Sequence, residues 1–229
     1  MAYTRGDSKN IIVGAAAMFV STSADFDPDT VVFPDFVEDI QYIETLTDSV
    51  QGKALVRNIG YTTNGLELQF QPDFGEVQVD QLLDVAKLYK QGMQVNLATA
   101  FAEATLENLL VAIAAPAASY DADTTLDTPM DSGTVSNASV LELTSGAIGE
   151  CPVERGLVAV GPGTGDCDPG SYIERIYVAY RALSIDNVTV SAKRDEASMF
   201  EVSFRLLPND AAGSYGKIVD RTIPAGAVS

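Results

Sequence analysis

Residues 65–81 read GLELQFQPDFGEVQVDQ, and the fold turns on how this stretch is read. Leu66, Leu68 and Phe70 alternate with Glu67, Gln69 and Gln71. Beyond Pro72-Asp73-Phe74-Gly75 the alternation resumes, with Val77 and Val79 against Glu76, Gln78 and Asp80. A period of two sends successive side chains to opposite faces of a strand. Pro72 and Gly75 carry turn chemistry. The stretch is therefore expected to be a hairpin of two strands, with Leu66, Leu68, Phe70, Val77 and Val79 packed inward. The other face holds three carboxylates and three amides, with no base inside the stretch to pair them. That face meets either plain solvent or something that must not adhere to it.

Working outward, strand patterns dominate. Residues 10–20 suggest a strand of small side chains, and residues 84–90 and 93–100 suggest two strands around Gln91-Gly92. The period then changes. Leu106, Leu109, Leu110 and Ile113 follow helical spacing, which predicts one helix over roughly 102–114, stopped before Pro116. Further strands are expected at 135–144, 153–161, 172–182, 187–193, 198–207 and 215–220. Two segments do not fit. Residues 22–58 are expected to be a long loop or arm, broken by Pro28 and Pro34. Residues 115–134, rich in Ala, Asp, Thr and Pro, are expected to be an inserted surface loop. No 20–50-residue repeat is present. The fold class expected is mainly β, a sandwich or barrel with one packed helix and long loops, in a single domain over 1–229.

The chain has 229 residues, and 46% are hydrophobic, enough for a substantial core. Its 32 acidic and 14 basic residues give a net charge of −18. That balance disfavours binding to nucleic-acid phosphates and favours solubility. The acids concentrate in the first 50 residues, nine against two bases, and in 115–170, nine against one. The N-terminus lacks a signal-peptide core, and the apolar run Ile11–Val20 is too short to span a bilayer, so synthesis in the cytoplasm without membrane binding is expected.

Enzymatic chemistry finds little footing, and neither an enzyme nor a cofactor is expected. The sequence has no histidine, which removes the commonest general base and metal ligand. Neither a nucleophile elbow nor a Walker loop is present. Gly161, Gly163 and Gly165 form a glycine pattern without the following helix a phosphate site needs, and are expected to be a strand-to-strand turn. Asp25, Asp27 and Asp29 have the spacing of a calcium loop, but Thr30 and Phe36 stand where it needs Gly and Glu. Asp121, Asp123, Asp127 and Asp131 could gather a hard cation, although a solvated acidic loop is the expectation. Glu76 and Asp80 could pair as glycosidase carboxylates, but they share one strand and no Trp exists to stack a sugar. Cys151 and Cys167 fit no zinc pattern. They could meet across neighbouring strands, and the reduced, unpaired state is the expectation.

Residues 60–114 resemble the major tail protein, or tail tube protein, of long-tailed (siphovirus-like) bacteriophages. The pieces that carry the likeness are the amide-and-acid stretch ending in Val79-Asp80-Gln81, then Lys90-Gln91-Gly92, then a strand running into Ala102-Glu103-Ala104-Thr105-Leu106-Glu107-Asn108-Leu109. Residues 200–208 and 215–220 look like that family's closing strands. The likeness is poor over 20–58 and 115–150. It implies a β-sandwich with a flanking helix, six copies to a ring, and rings stacked into a hollow tube that conducts DNA out of the capsid. The implied partners are other copies of the chain, a tape measure protein, a tail terminator, the distal tail proteins and DNA in passage. The implied location is the virion, after assembly in the host cytoplasm. The resemblance selects the lumen for the polar face, so Glu67, Gln69, Gln71, Glu76, Gln78 and Asp80 are the candidate lumen residues. Val31, Val32, Phe33, Phe36 and Val37, apolar positions on an arm a small sandwich has little room to bury, are the candidate inter-ring contacts. Two alternatives stand beside this reading. One is the tube of a tail-like particle or secretion system. The other is a monomeric β-sandwich binding module with a cation-binding acidic loop.

Overall fold

The structure, a computed structural model, describes residues 12, 14–21, 56–78, 84–127, 134–145, 148, 149, 152–164, 171–191, 194, 197–209 and 213–224. The described strands are β1 (Ala17–Ser21), β2 (Val56–Asn58), β3 (Thr62–Gln78), β4 (Val85–Phe101), β5 (Tyr120–Asp127), β6 (Thr134–Leu141), β7 (Arg155–Pro162), β8 (Ser171–Ser184), β9 (Phe200–Leu207) and β10 (Gly216–Pro224). Eight of them form one sheet in the order β2-β1-β7-β8-β9-β4-β3, with β10 also on β8. Every described pairing is antiparallel. The protein is thus mainly β, as the alternation predicted.

The local patterns explain the layering. In β9, FEVSFRLL, Phe200, Val202, Phe204 and Leu206 are buried, with exposed or half-buried residues between them. In β7, by contrast, Arg155–Val160 are all buried. A strand covered on both faces reads as a continuous apolar run and does not alternate. Two clusters lie on its two sides. The larger joins Met18, Val20, Leu97, Phe101, Leu157, Phe200 and Phe204. The smaller joins Phe19, Val158, Val160, Ile176, Val178 and Tyr180. Strand β8 turns the corner of the sheet. Ser171–Ala179 pair with β10, and Arg181–Ser184 pair with β9. Reciprocal ion pairs pin β10 to it. Arg175 meets Asp220 through two 2.6 Å hydrogen bonds, and Arg221 meets Glu174 at 2.9 Å.

The helix, α1, spans Leu106–Ala112. It is shorter than expected because the residues before it do other work. The Ala102 N–H donates to Tyr61 O, and the Glu103 carboxylate accepts from the Tyr61 N–H at 2.9 Å. Thr105 then caps the helix by accepting from the Asn108 N–H at 3.2 Å. Gly60 leads into this junction with φ 89°, and its missing Cβ leaves the space that the Glu103 carboxylate fills. Among the described residues, no helix is long and apolar enough to cross a membrane.

Four expectations need correction. The expected arm at 22–58 loses its last residues to the sheet, because Val56–Asn58 pair with β1. The expected loop at 115–134 is ordered in part, because β5 pairs with β6 as a separate hairpin near α1. Cross-strand pairing overrides a polar composition there. Residues 187–191, expected within a strand, carry no strand, and among the described residues of the run 10–20 only those from Ala17 onward do. Residues 22–55 lie outside the described residues, and with them Val31, Val32, Phe33, Phe36 and Val37. Cys151, Cys167, Asp25, Asp27, Asp29, Asp131 and Gly165 lie outside them as well.

Candidate functional site: a long ribbon and a polar sheet face

The largest departure from expectation concerns the stretch from Gly65. Residues 65–78 do not fold back on themselves. Strand β3 runs unbroken through Pro72-Asp73-Phe74-Gly75 and pairs along its whole length with β4. Both segments that looked like turns belong to one bulge. Asp73 pairs with Gly92 and Phe74 with Lys90, so Gln91 is the extra residue on β4. Gly75 makes room and does not turn the chain. Tyr89 and Gln91 occupy the space its Cβ would take, and the Gln91 amide donates to the Tyr89 hydroxyl at 3.0 Å. Pro72 is tolerated because β3 lies at the end of the sheet, where a missing N–H need not break a ladder. A second irregularity lies at Asn64 and Gly65, with φ 64° and 70°, where β3 carries two extra residues.

Continuity changes which residues share a face. Strict alternation along β3 puts Glu67, Gln69 and Gln71 on one side, with Asp73, Gly75 and Val77. It puts Glu76 and Gln78 on the side of Leu66, Leu68 and Phe70. The six candidate lumen residues are therefore not one face. Asp80 and Val79 lie outside the described residues. Leu66 and Leu68 pack on the larger core as expected. Phe70 and Val77 do not, and stand largely exposed.

The face of Glu67 extends across the sheet. Glu67, Gln69 and Gln71 lie opposite Ala98, Asn96 and Gln94 of β4. Asn96 and Ala98 in turn lie opposite Arg205 and Ser203 of β9, and Ala100, next on the same face of β4, lies opposite Glu201. A shallow depression there is lined by Glu67, Asp186, Glu201, Asn64 and Asn187. Sequence reading of the stretch alone missed Arg205, Asp186 and Glu201, because only the sheet register brings them to Glu67. The depression itself holds three carboxylates and no base.

Strand β9 pairs with β4 only from Val95 to Phe101, so β3 and β4 continue past it as a two-stranded ribbon. The ribbon carries exposed large apolar residues, with Leu88 60%, Phe70 55% and Phe74 54% exposed. Single exposed apolar residues are ordinary, but a run of them on one protruding element marks a contact surface. Among the described residues no three carboxylates or cysteines gather where they could hold a metal ion. Asp121 is exposed at the start of β5, and Asp123 and Asp127 lie further along that strand. Gly161 sits inside β7 and Gly163 just after it, where its N–H donates to Ile173 O at 2.7 Å. That bond joins the ends of β7 and β8, a strand-to-strand connection. A scan against models of known protein families matches none, and a search of curated proteins finds no relative.

Proposed function

We propose that this chain is a structural subunit of a hollow tube, the tail tube of a long-tailed bacteriophage, with six copies to a ring and rings stacked along the axis. The observation that carries the reading is the β3–β4 ribbon. It projects beyond the sheet, exposes Phe70, Phe74 and Leu88, and lies at the sheet's end with the outer edge of its 17-residue strand β3 unpaired among the described strands. A long edge with apolar side chains invites pairing with another chain. A monomer gains nothing from it, whereas closed symmetry covers it in every copy.

The anionic face supports the conduit role. A polyanion moving through a channel must not adhere to the wall, and carboxylates and amides do not bind phosphate as lysines do. The lumen assignment is narrowed to the face of Glu67, Gln69 and Gln71, continued by Asn96, Ser203 and Glu201, a face that also carries Arg205 opposite Asn96. Glu76 and Gln78 belong with the contact side of the ribbon.

The test is the assembly state of the purified full chain, by sedimentation and electron microscopy over a range of salt. Rings and tubes with an open channel are expected. Six copies carry six times −18, or −108, so screening should favour assembly as salt rises. A 24.3 kDa monomer at every concentration and salt would overturn the proposal.

A further inference from the structure

The sheet splits at the root of the ribbon. Strand β10 takes up the line of β9 along β8, since β9 pairs with Arg181–Ser184 and β10 with Ser171–Ala179. Strand β4 pairs with β9 as far as Val95↔Leu206 and then leaves that line. An apolar groove of about 620 Å³ opens between the departing ribbon and the β8–β10 pair. Leu68, Phe70 and Met93 line it from the ribbon, and Tyr177 and Ile218 from β8 and β10.

Tyr215 stands in the fork. Its backbone oxygen accepts from the Tyr180 N–H at 3.2 Å, which fixes it to β8. Its hydroxyl reaches to the ribbon and donates to Met93 O at 2.6 Å. Met93 lies two residues beyond Val95, the next position on the same edge of β4. The hydroxyl therefore occupies a carbonyl that a continuing sheet would use. The bulge at Gln91 follows at once, and a bulge bends and twists the strand that carries it. A two-stranded ribbon is marginal without support. Swinging onto the groove would take Phe70, 55% exposed, out of water.

We propose that the ribbon is a hinged arm rooted between Val95 and the bulge, and that the Tyr215 hydroxyl is the stop that holds it raised above the groove. With the stop released, the arm swings toward β10 and closes on the groove. The consequence for assembly rests on the tube reading. A raised arm presents Phe70 and Phe74 to another copy, and a closed arm withdraws Phe70.

The test is a distance measurement by pulsed electron spin resonance on the full chain, with Cys151 and Cys167 replaced by serine and spin labels at Lys87→Cys and Thr222→Cys. Both positions are exposed. Lys87 lies six residues past Met93, about 20 Å along the arm. Strand β4 leaves β9 in the direction that β10 takes, so closure shortens the distance. Labelled chains are diluted into unlabelled ones at low salt, so that each distance belongs to one copy. A long distance is expected in the parent. Tyr215→Phe keeps the ring that packs on the larger core, and should raise the short-distance population about fivefold, or about 1 kcal/mol. Adding Phe70→Ser, which removes the apolar ring that closure buries, should return the long distance. A distribution that Tyr215→Phe leaves unchanged, or that Phe70→Ser fails to restore, overturns the hinge whatever the chain assembles into. Tyr215→Phe should also raise the concentration needed for assembly about fivefold. Unchanged assembly beside a shifted distance overturns the arm's part in assembly. A parent chain that never assembles overturns the tube reading and leaves the hinge to be decided by the distances.

Discussion

Asn108 is buried at the head of α1, and its side chain closes three hydrogen bonds. Its amide donates to Ile59 O at 2.8 Å and Glu103 O at 2.9 Å, and its oxygen accepts from Arg57 Nη1 at 2.8 Å. One side chain thus ties the helix to the strand junction at Ile59 and to the Arg57 guanidinium. Asn108→Ala strands two carbonyls and a cation in a water-poor place. A loss of about 2–4 kcal/mol is expected in chemical denaturation, with unfolding still cooperative. Arg155, 8% exposed, has only carbonyl partners among the described residues, Ser21 O at 3.4 Å and Ala115 O at 3.0 Å. Burial, and then the nearby Arg57 charge, hold its pKa below the ordinary value. The Arg175–Asp220 pair gives a pH signature. The hydrogen bonds from Arg175 hold the Asp220 carboxyl below its ordinary value of 3.8. A carboxylate with a depressed folded pKa contributes stability that is present above its unfolded pKa and lost as pH falls through the folded one. Asp220→Asn should therefore lower the midpoint slightly at neutral pH, and the gap from the parent should close below about pH 4. The effect is small because both side chains are partly exposed.

At the scale of the element, the ribbon can be separated from the fold that carries it. Beyond Val95 its apolar residues are mostly outside the core, so they cost little to replace in the isolated subunit. Phe74→Ser with Leu88→Ser should leave the denaturation midpoint within about 0.5 kcal/mol of the parent. The same pair should abolish rings and tubes, read by sedimentation. Unchanged assembly would remove the ribbon from the interface. The element also shows why the opening stretch misleads. Proline and glycine within four residues indicate a turn when only the local chain is considered. Here both are accommodated by the partner strand, Gly75 beneath Tyr89 and Gln91 and Pro72 at an edge. The Gln91-Gly92 pair misleads for the same reason, since it supplies the bulge opposite and no turn of its own.

At the scale of the whole molecule, the proposed tube reading gives the polar face and the apolar ribbon different jobs. Charge reversal on the face, Glu67→Lys with Glu201→Lys, should change stability by no more than about 0–1 kcal/mol. In particles built with that subunit, DNA ejection should slow at low salt and recover at high salt, because phosphate attraction to lysine is screened. Ejection equal to the parent at low salt would place this face outside the channel. Glu76→Lys on the opposite side of β3 serves as the contrast and should affect assembly before ejection.

The sequence by itself determined the class of fold. Alternation at 200–207 reports burial on one face, and at 66–71 it held for Leu66 and Leu68 but not for Phe70, which lies where the sheet gives way to the ribbon. The helical spacing at 106–113 placed α1, and Thr105 and Asn108 were already there to cap and anchor it. Tertiary structure decided the rest. Whether Pro72 and Gly75 turn the chain depends on what lies across from them, which no local pattern contains. A bulge of one residue on β4 left β3 continuous, and that continuity split Glu67, Gln69 and Gln71 from Glu76 and Gln78. Glu201 and Asp186, which share the depression with Glu67, are more than 100 residues away from it in the chain. Only hydrogen-bonded register brings them to one face, because side-chain direction in a sheet is set by pairing and not by proximity in sequence.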